Sequence, residues 1–150
     1  MIRVSRLTDY AVVLLAHLAG SDRTLTANEL ASRSSIPLPT VSKLCKELSK
    51  AGLVNSHRGR RGGYGLARPA AQISVAEIVE ALEGPIALTE CSQPGPLRSC
   101  ELEATCLARG AWDPVSHAIH VALAGMPLSA FARASEAPSA PLVTLGAHFS

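Results

Sequence analysis

Three cysteines are the residues of this 150-residue chain whose type and spacing best suit chemistry. Cys91, Cys100 and Cys106 are separated by eight and five residues, and glycine and proline lie between the first two. Thiolates bind iron–sulfur clusters and zinc well, and such a segment can bend three sulfurs toward one point. The spacing leaves four interpretations open: an iron–sulfur cluster, a zinc site, a thiol redox switch, and free thiols without a role.

The trio supplies three ligands and therefore an incomplete site. Structural zinc prefers four ligands with close pairs such as Cys-x2-Cys, and the sequence contains no such pair. Wide spacing with a fourth ligand of another type suits a labile sensory cluster better than a rigid structural ion. The remaining cysteine, Cys45, lies within a predicted helix and is interpreted as a small apolar core residue.

Charge divides the chain into two unlike parts. Residues 1–70 contain eleven Lys or Arg against four Asp or Glu, a net charge of +7, whereas residues 71–150 contain three against eight, a net charge of −5. A basic front half favours a polyanionic partner. With no apolar run approaching the roughly 18 residues of a membrane span, we expect a soluble cytoplasmic protein that does not contact membranes and keeps its thiols reduced.

The pattern of elements predicts a mainly α-helical fold. Hydrophobic residues make up 47% of the chain and aromatic residues only 3%, so the core must be aliphatic. Thr26 with Glu29, and Ser74 with Glu77, fit capping boxes that begin helices. Predicted elements of the first half are helices over residues 7–18, 27–34 and 39–51, strands over 53–57 and 64–67, and a helix over 75–83.

Helix, short helix, turn, helix and glycine-rich hairpin is the order of a winged helix-turn-helix. The third helix would bury Val41, Leu44 and Leu48 and insert its start into the DNA major groove, while the hairpin would reach phosphates or the minor groove. The predicted DNA-contacting residues are Thr40, Ser42 and Lys43 on the helix and Arg58, Arg60 and Arg61 on the hairpin. A nucleotide-binding loop is disfavoured because no Gly-Lys-Ser/Thr follows the glycines.

The second half is predicted to be a cysteine-containing loop followed by helices. Asp113 and Pro114 predict a helix start, with Asp113 as the cap and Pro114 at the first position. That helix would run to about residue 123, and a short helix would follow over 126–133. Residues 134–150, rich in Ala, Pro, Ser and Gly, are predicted to be disordered.

Catalysis is disfavoured. His117 and His120 share a helix face and could be imagined with Cys106 as base and nucleophile. The sequence offers no group to orient either histidine and no pattern of oxyanion donors, so we expect no enzyme.

Four stretches of sequence resemble the winged-helix iron–sulfur regulators of the IscR and NsrR type, and most closely the branch that regulates the SUF iron–sulfur cluster assembly system. The similarity covers about residues 1–130. The stretches are RLTDYA at 6–11, LPTVSKL at 38–44, SHRG at 56–59 with GGY at 62–64, and IVEALEGPIALTEC at 78–91.

The resemblance implies a homodimer that binds a double-stranded DNA operator. It divides the chain into a winged domain (1–85), a cluster-binding loop (86–109), a dimerisation helix region (110–133) and the tail (134–150). It further implies a repressor of iron–sulfur cluster assembly genes, controlled by a [2Fe–2S] or [4Fe–4S] cluster on the three cysteines. Alternatives are a nitric-oxide- or redox-sensing repressor and a cluster-free regulator that uses zinc or thiol oxidation.

Two positions bear on the missing ligand. In IscR-like proteins a histidine three residues after the last cysteine completes the site, and here that position is Arg109. In nitric-oxide-sensing relatives an acidic residue of the partner's first helix can do so, and Asp9 falls at that position. Asp9 is equally well interpreted as a charge favoured by the helix macrodipole. In the hairpin, Arg58 matches the family's DNA-contacting arginine.

Overall fold

A computed structural model describes residues 3–94, 100–102 and 104–134. Within these residues the fold is mainly helical, with one two-stranded antiparallel sheet. The elements are α1 (Arg6–Ala19), α2 (Ala27–Ser34), α3 (Leu38–Lys50), β1 (Val54–His57), β2 (Gly63–Leu66), α4 (Val75–Glu83), α5 (Asp113–Ala124) and α6 (Leu128–Ala134), with short 3-10 turns at Ala70–Gln72 and Glu90–Ser92.

The first four helices and the sheet share one aliphatic core. Leu14 and Leu15 of α1, Leu30 of α2, Leu48 of α3 and Ile78 of α4 are fully buried in it. In α1 and α3 the buried residues recur at the spacing of one helical face. The core thereby fixes α3 against α1 and α2, and α3 is the element predicted to contact DNA.

Helix starts follow the predicted capping chemistry. The Thr26 hydroxyl accepts from the Glu29 N–H while Glu29 accepts from the Thr26 N–H, and Ser74 and Glu77 form the same reciprocal pair before α4. At α1 the cap is Ser5, whose hydroxyl accepts from the Thr8 N–H. These bonds satisfy helix donors that have no partner within the helix.

Four predicted helix starts differ from the structure: those of α1 and α3 by one residue, that of α6 by two, and that of α5 because its cap was assigned to Asp113. Helix α3 begins at Leu38, one residue before the predicted start, because Pro37 is its N-terminal flanking residue and Pro39 fits within the first turn. Asp113 is not the cap of α5 but its first helical residue, and Trp112 occupies the cap position without a side-chain hydrogen bond. The predicted disordered tail lies outside the described residues, apart from Ala134, which ends α6.

After α5 the chain returns to the winged part. The Leu128 N–H donates to the Ile73 carbonyl at 2.8 Å, and the Val75 N–H donates to the Met126 carbonyl at 2.9 Å. Leu128 itself is fully buried in the core. The segment that follows α5 is therefore held against α1 and the start of α4.

No helix in the described part of the chain is both long and apolar enough to cross a membrane.

Candidate nucleic-acid interface and metal-ligand region

Helix α3 separates a buried face from a polar face. Val41, Leu44 and Leu48 are buried as predicted. Ser42 and Lys43 are exposed near the start of the helix, and Thr40 is half-buried. A further residue, Lys46, is also exposed, and sequence reasoning missed it although it lies four residues after Ser42 on the outward side.

The start of α3 is electrostatically open. Its first turn contains no acidic residue and no side chain caps it, whereas the first turns of α2 and α4 are closed by Glu29 and Glu77. A helix N-terminus carries partial positive charge and free N–H groups, which together favour phosphate. Of these three helices, α3 is the one whose start carries no acidic side chain, although Pro39 has no N–H and the Thr40 and Val41 N–H groups donate to the Pro37 carbonyl.

The β1–β2 hairpin, residues 54–66, is hereafter called the wing. Its strands pair from Val54 with Leu66 to His57 with Gly63. The backbone of Tyr64 also exchanges two hydrogen bonds with Leu25, at 2.7 and 2.9 Å, which adds the chain before α2 to the edge of the wing.

Glycine at position 63 is required by this close approach. Gly63 has φ +142°, and a Cβ there would lie 2.7 Å from the Leu25 carbonyl oxygen. Beside it, the Thr24 hydroxyl donates to the Arg61 carbonyl at 3.2 Å. The wing tip is therefore held at a fixed place relative to α2 and α3.

Eight of the eleven cations of the basic half form two groups. Arg23, Arg68 and Lys50 form ion pairs with Glu29, Glu77 and Glu47. The second group consists of exposed cations that form no ion pair with any described residue: Lys43, Lys46, Arg58, Arg60 and Arg61. These five cations are available to a polyanion and lie on α3 and the wing. Arg6 on α1 and Arg33 on α2 are likewise exposed and outside these ion pairs.

All four cysteines carry free thiols. Cys45 is buried in the core with 1% of its surface exposed, and burial raises the pKa of its thiol to about 11. It is therefore an apolar core residue, as the sequence predicted. Cys91, Cys100 and Cys106 are each only half-buried.

Cys91 lies in the 3-10 turn Glu90–Ser92, with its Sγ 3.2 Å from the hydroxyl of Thr89. The preceding residues are anchored to α5, because the Leu88 N–H donates to the buried hydroxyl of Ser116 at 3.1 Å. A hydroxyl beside sulfur suits a thiolate, since hydrogen bonds to sulfur stabilise its negative charge and tune the potential of a bound cluster.

The predicted metal ligands are not gathered in the described structure of the single chain. Among its described residues, no three His, Cys, Asp or Glu side chains converge closely enough to hold a metal ion. Asp9 is exposed in the first turn of α1. Three half-buried thiols on one connecting segment nevertheless form a donor set whose chemistry fits an iron–sulfur cluster.

Sequence reasoning missed one contact that joins the end of α4 to the start of α1. The Glu83 carboxylate at the end of α4 accepts hydrogen bonds from the Thr8 hydroxyl at 2.6 Å and the Ser5 N–H at 3.0 Å. The hydrogen bond from Thr8, the largest cause, and those from Ser5 lower the pKa of Glu83. No local sequence signal links residues 75 positions apart, so only the fold shows this contact.

A helix-turn-helix with an unpaired basic wing and an open recognition-helix start defines a winged-helix, DNA-binding transcription regulator. Comparison with known proteins agrees. The family model described as Rrf2, iron-dependent transcriptional regulator, matches residues 4–134. The chain belongs to the Rrf2 family of transcriptional regulators, and it is not an enzyme.

Curated relatives and solved structures give the same family. The chain is 38% identical over 108 residues to an rrf2-like HTH-type transcriptional regulator of Rhodobacter capsulatus, covering 67% of this chain and 72% of the relative. It is 34% identical over 113 residues to protein rrf2 of Nitratidesulfovibrio vulgaris, covering 74% of each.

Two solved structures resemble the whole fold. One is T. potens IscR, with TM-score 0.69, 28% identity and 93% of each chain covered. The other is CymR, the global cysteine regulator of B. subtilis, with TM-score 0.68, 26% identity, and 92% of this chain and 100% of that chain covered.

Proposed function

We propose that the protein is a homodimeric repressor of iron–sulfur cluster assembly genes, and that a cluster bound by Cys91, Cys100 and Cys106 controls its binding to a DNA operator. The observation that carries this proposal is the division of the thiols. Cys45 is buried, while the three predicted ligands are half-buried on one segment between α4 and α5. The family's iron-dependent description and the likeness to IscR support the same cofactor.

When bound, the [2Fe–2S] or [4Fe–4S] cluster would supply a redox- and iron-sensitive link between its thiolate ligands. The chain's own part is to place Cys91 near α5 through the Leu88–Ser116 hydrogen bond. Glu83 then ties the end of α4, just before the cysteine segment, to the start of α1. A change in the cysteine segment can thereby alter the position of α1, which packs on the same core as α3.

DNA contact is assigned to the start of α3 and to the wing. Thr40, Ser42 and Lys43 would read the major groove, and the wing arginines Arg58, Arg60 and Arg61 would bind phosphates or the adjacent minor groove. The wing arginines and Lys43 are exposed and unpaired among the described residues. Two such domains in a dimer would meet half-sites about one DNA turn apart.

Dimerisation is assigned to α5. Its outward face carries Val115, Ala118, Val121 and Ala122, all exposed, and it buries little more than Ser116 within its own chain. An apolar groove runs beside it, lined by Val79, Ile86, Trp112, Ile119 and Leu123 among others. An apolar helix left outside the core is typical of a subunit interface.

The fourth ligand is assigned to a group outside the trio, because three cysteines leave one position unfilled. Arg109 cannot ligate iron, since its guanidinium has no free lone pair. Asp9 of the partner protomer is the candidate that the family pattern supplies. Its carboxylate is exposed on the first turn of α1, and as a hard ligand it would bind iron weakly and favour a labile cluster.

The proposal is tested by anaerobic reconstitution with iron and sulfide, followed by native mass spectrometry and Mössbauer spectroscopy. The wild-type protein should be brown and contain iron and acid-labile sulfide. Cys100→Ser and Cys106→Ser should lose most of the iron. The matched control Cys45→Ala should retain it because that thiol faces the core. A colourless wild-type protein would refute the cluster.

A cluster-free thiol or zinc regulator is the second candidate. It is favoured by the lack of convergence of the thiols among the described residues and by the likeness to CymR, the global cysteine regulator of B. subtilis. Stoichiometric zinc, or a disulfide that releases DNA, in colourless protein would establish it. Promoter capture distinguishes the target: cluster-assembly operators support the proposal, whereas nitrosative-stress operators alone indicate nitric-oxide sensing.

A further inference from the structure

The start of α3 presents an apolar side chain to the outside. Leu38, the first residue of the helix, is 41% exposed, and Pro37 and Pro39 on either side of it are exposed as well. From the start of α2 to the end of the wing, residues 27–66, Leu38 is the one large aliphatic or aromatic side chain that is exposed. A lone exposed leucine elsewhere on a surface needs no explanation, so the position of Leu38 is what distinguishes it.

Leu38 shares a face of α3 with the residue predicted to read bases. Ser42 follows it by four residues and Lys46 by eight, so the three side chains form one stripe along the helix. All three are exposed, whereas the other side of the helix buries Leu44 and Leu48. A recognition helix contacts base edges with its N-terminal residues, and Leu38 then meets the base pairs one turn before Ser42.

The backbone at this end of α3 offers few donors to a polar group. Pro39 has no N–H, and the N–H groups of Thr40 and Val41 donate to the Pro37 carbonyl at 2.9 and 3.0 Å. The two prolines also fix their own φ angles, and that of Pro37 is −56°. The start of α3 therefore presents Leu38 from a stiff backbone, and the chemistry that it offers is apolar.

The apolar group that a base pair presents in the major groove is the 5-methyl group of thymine. We propose that Leu38 is a specificity-determining residue that packs on this methyl group and selects thymine where the operator faces the start of α3. The inference rests on the proposed function in one respect, the placement of α3 in the major groove, and it does not require the cluster. Ser42 discriminates less between bases, because its hydroxyl can donate or accept.

The test uses the full-length protein, both cluster-free and reconstituted, and a duplex that this protein enriches from random-sequence DNA. Each thymine of the duplex is replaced in turn by deoxyuridine, which lacks only the 5-methyl group. Replacing a contacted thymine should weaken wild-type binding by about fourfold, the effect of one buried methyl group. Replacing the other thymines should leave the affinity unchanged. Fluorescence anisotropy at constant salt measures the dissociation constants.

Variants then assign the effect to Leu38. Leu38→Ala should bind the unmodified duplex more weakly and lose the penalty at the same thymines, whereas the conservative Leu38→Met should keep that penalty. The matched control Leu102→Ala removes an exposed leucine outside α3 and the wing and should behave as the wild type does. The circular dichroism spectra should not differ, because both leucines are exposed.

The outcomes separate this inference from the proposed function. If no deoxyuridine weakens wild-type binding, or if Leu38→Ala keeps the wild-type penalty, the contact with the methyl group is overturned. Lys43→Ala then tests the placement of α3: weaker binding of the unmodified duplex supports that placement, and unchanged binding overturns it too. Failure of the protein to acquire a cluster overturns the regulatory proposal and leaves the role of Leu38 intact.

Discussion

The winged part of the molecule and the part that follows α4 use apolar residues in opposite ways. Helix α1 buries Leu14, Leu15 and Leu18 within its own chain. Helix α5 is also rich in apolar residues, yet Val115 and Val121 are 41% and 54% exposed. Its one buried residue is Ser116, a polar residue. The hydrophobic core of the winged part is therefore formed within one chain. The part that follows α4 instead leaves an apolar helix face and three thiols partly exposed.

Capping shows the same contrast. Helices α1, α2 and α4 begin at side-chain caps, while α3 and α5 begin without one. Local signals therefore define three of the four winged helices before any packing occurs. The start of α5 depends more on the contacts that α5 makes, including the hydrogen bond from Leu88 to Ser116.

The largest expected effect is on the stability of the winged core. Leu14→Ala removes a fully buried side chain and should lower the free energy of unfolding by about 2–5 kcal/mol. Leu107→Ala, in the cysteine segment, removes a fully exposed one and should change it by less than about 0.5 kcal/mol. Urea denaturation measures both, and equal losses would contradict the contrast between the two parts.

The next effect is on association through α5. Val121→Glu places a charge on its exposed apolar face and should weaken the dimer by about 100-fold or more, because two valines are lost from the interface. The circular dichroism spectrum should not change. Sedimentation equilibrium measures the dissociation constant, with Thr105→Glu as a control outside the helix. A dimer unaffected by Val121→Glu would place the interface elsewhere.

A smaller effect concerns the free cations of the wing. The double variant Arg60→Ala/Arg61→Ala should lower the slope of log affinity against log salt by about 2, since each lost phosphate contact contributes about 0.9. Arg23→Ala is the matched control, because Arg23 belongs to the same basic half but pairs with Glu29. Fluorescence anisotropy across a salt series gives the slopes. An equal change in both variants would show that net charge alone matters.

The smallest effect tests the contact between the end of α4 and the start of α1. The lowered pKa of Glu83 means that the unfolded chain binds its proton more readily, so this contribution to stability is present above the ordinary pKa of 4.5 and is lost as the pH falls through the folded value. Glu83→Gln should cost about 1 kcal/mol at neutral pH, a value reduced by solvent exposure.

Glu83→Gln should also lose less stability than the wild-type protein when the pH is lowered from neutral to acid. Urea denaturation at pH 7 and pH 3 checks this, with the exposed Glu101→Gln as control. If Glu83→Gln and wild type lose equal stability on acidification, the hydrogen bonds from Thr8 and Ser5 do not stabilise the charged form.

The winged part could be predicted from the sequence because its determinants are local. Capping boxes at Thr26 and Ser74, apolar spacing in α3 and glycines in the hairpin each specify a backbone conformation within a few residues. The start of α3 was misplaced by one residue because proline is tolerated anywhere in a first turn.

The candidate site could be predicted only in part. Residue types identified the thiols and the wing arginines, but the contact of the cysteine segment with α5 depends on how these elements pack. The Leu88–Ser116 hydrogen bond joins residues 28 positions apart, and spacing along the chain carries no information about it. The sequence likewise could not distinguish the roles of the basic residues, since ion pairing separates Arg23 and Arg68 from the wing arginines only in three dimensions.

The close approach of Gly63 to Leu25 has a consequence for how quickly and tightly the wing can engage its target. Ordering one backbone residue costs about 1–2 kcal/mol of conformational entropy. The Tyr64 N–H and carbonyl are already hydrogen-bonded to Leu25. This conformational entropy is therefore lost during folding and not at each encounter with DNA. The arginines thus arrive preorganised, in contrast to a flexible basic arm, and only their side chains lose freedom on contact.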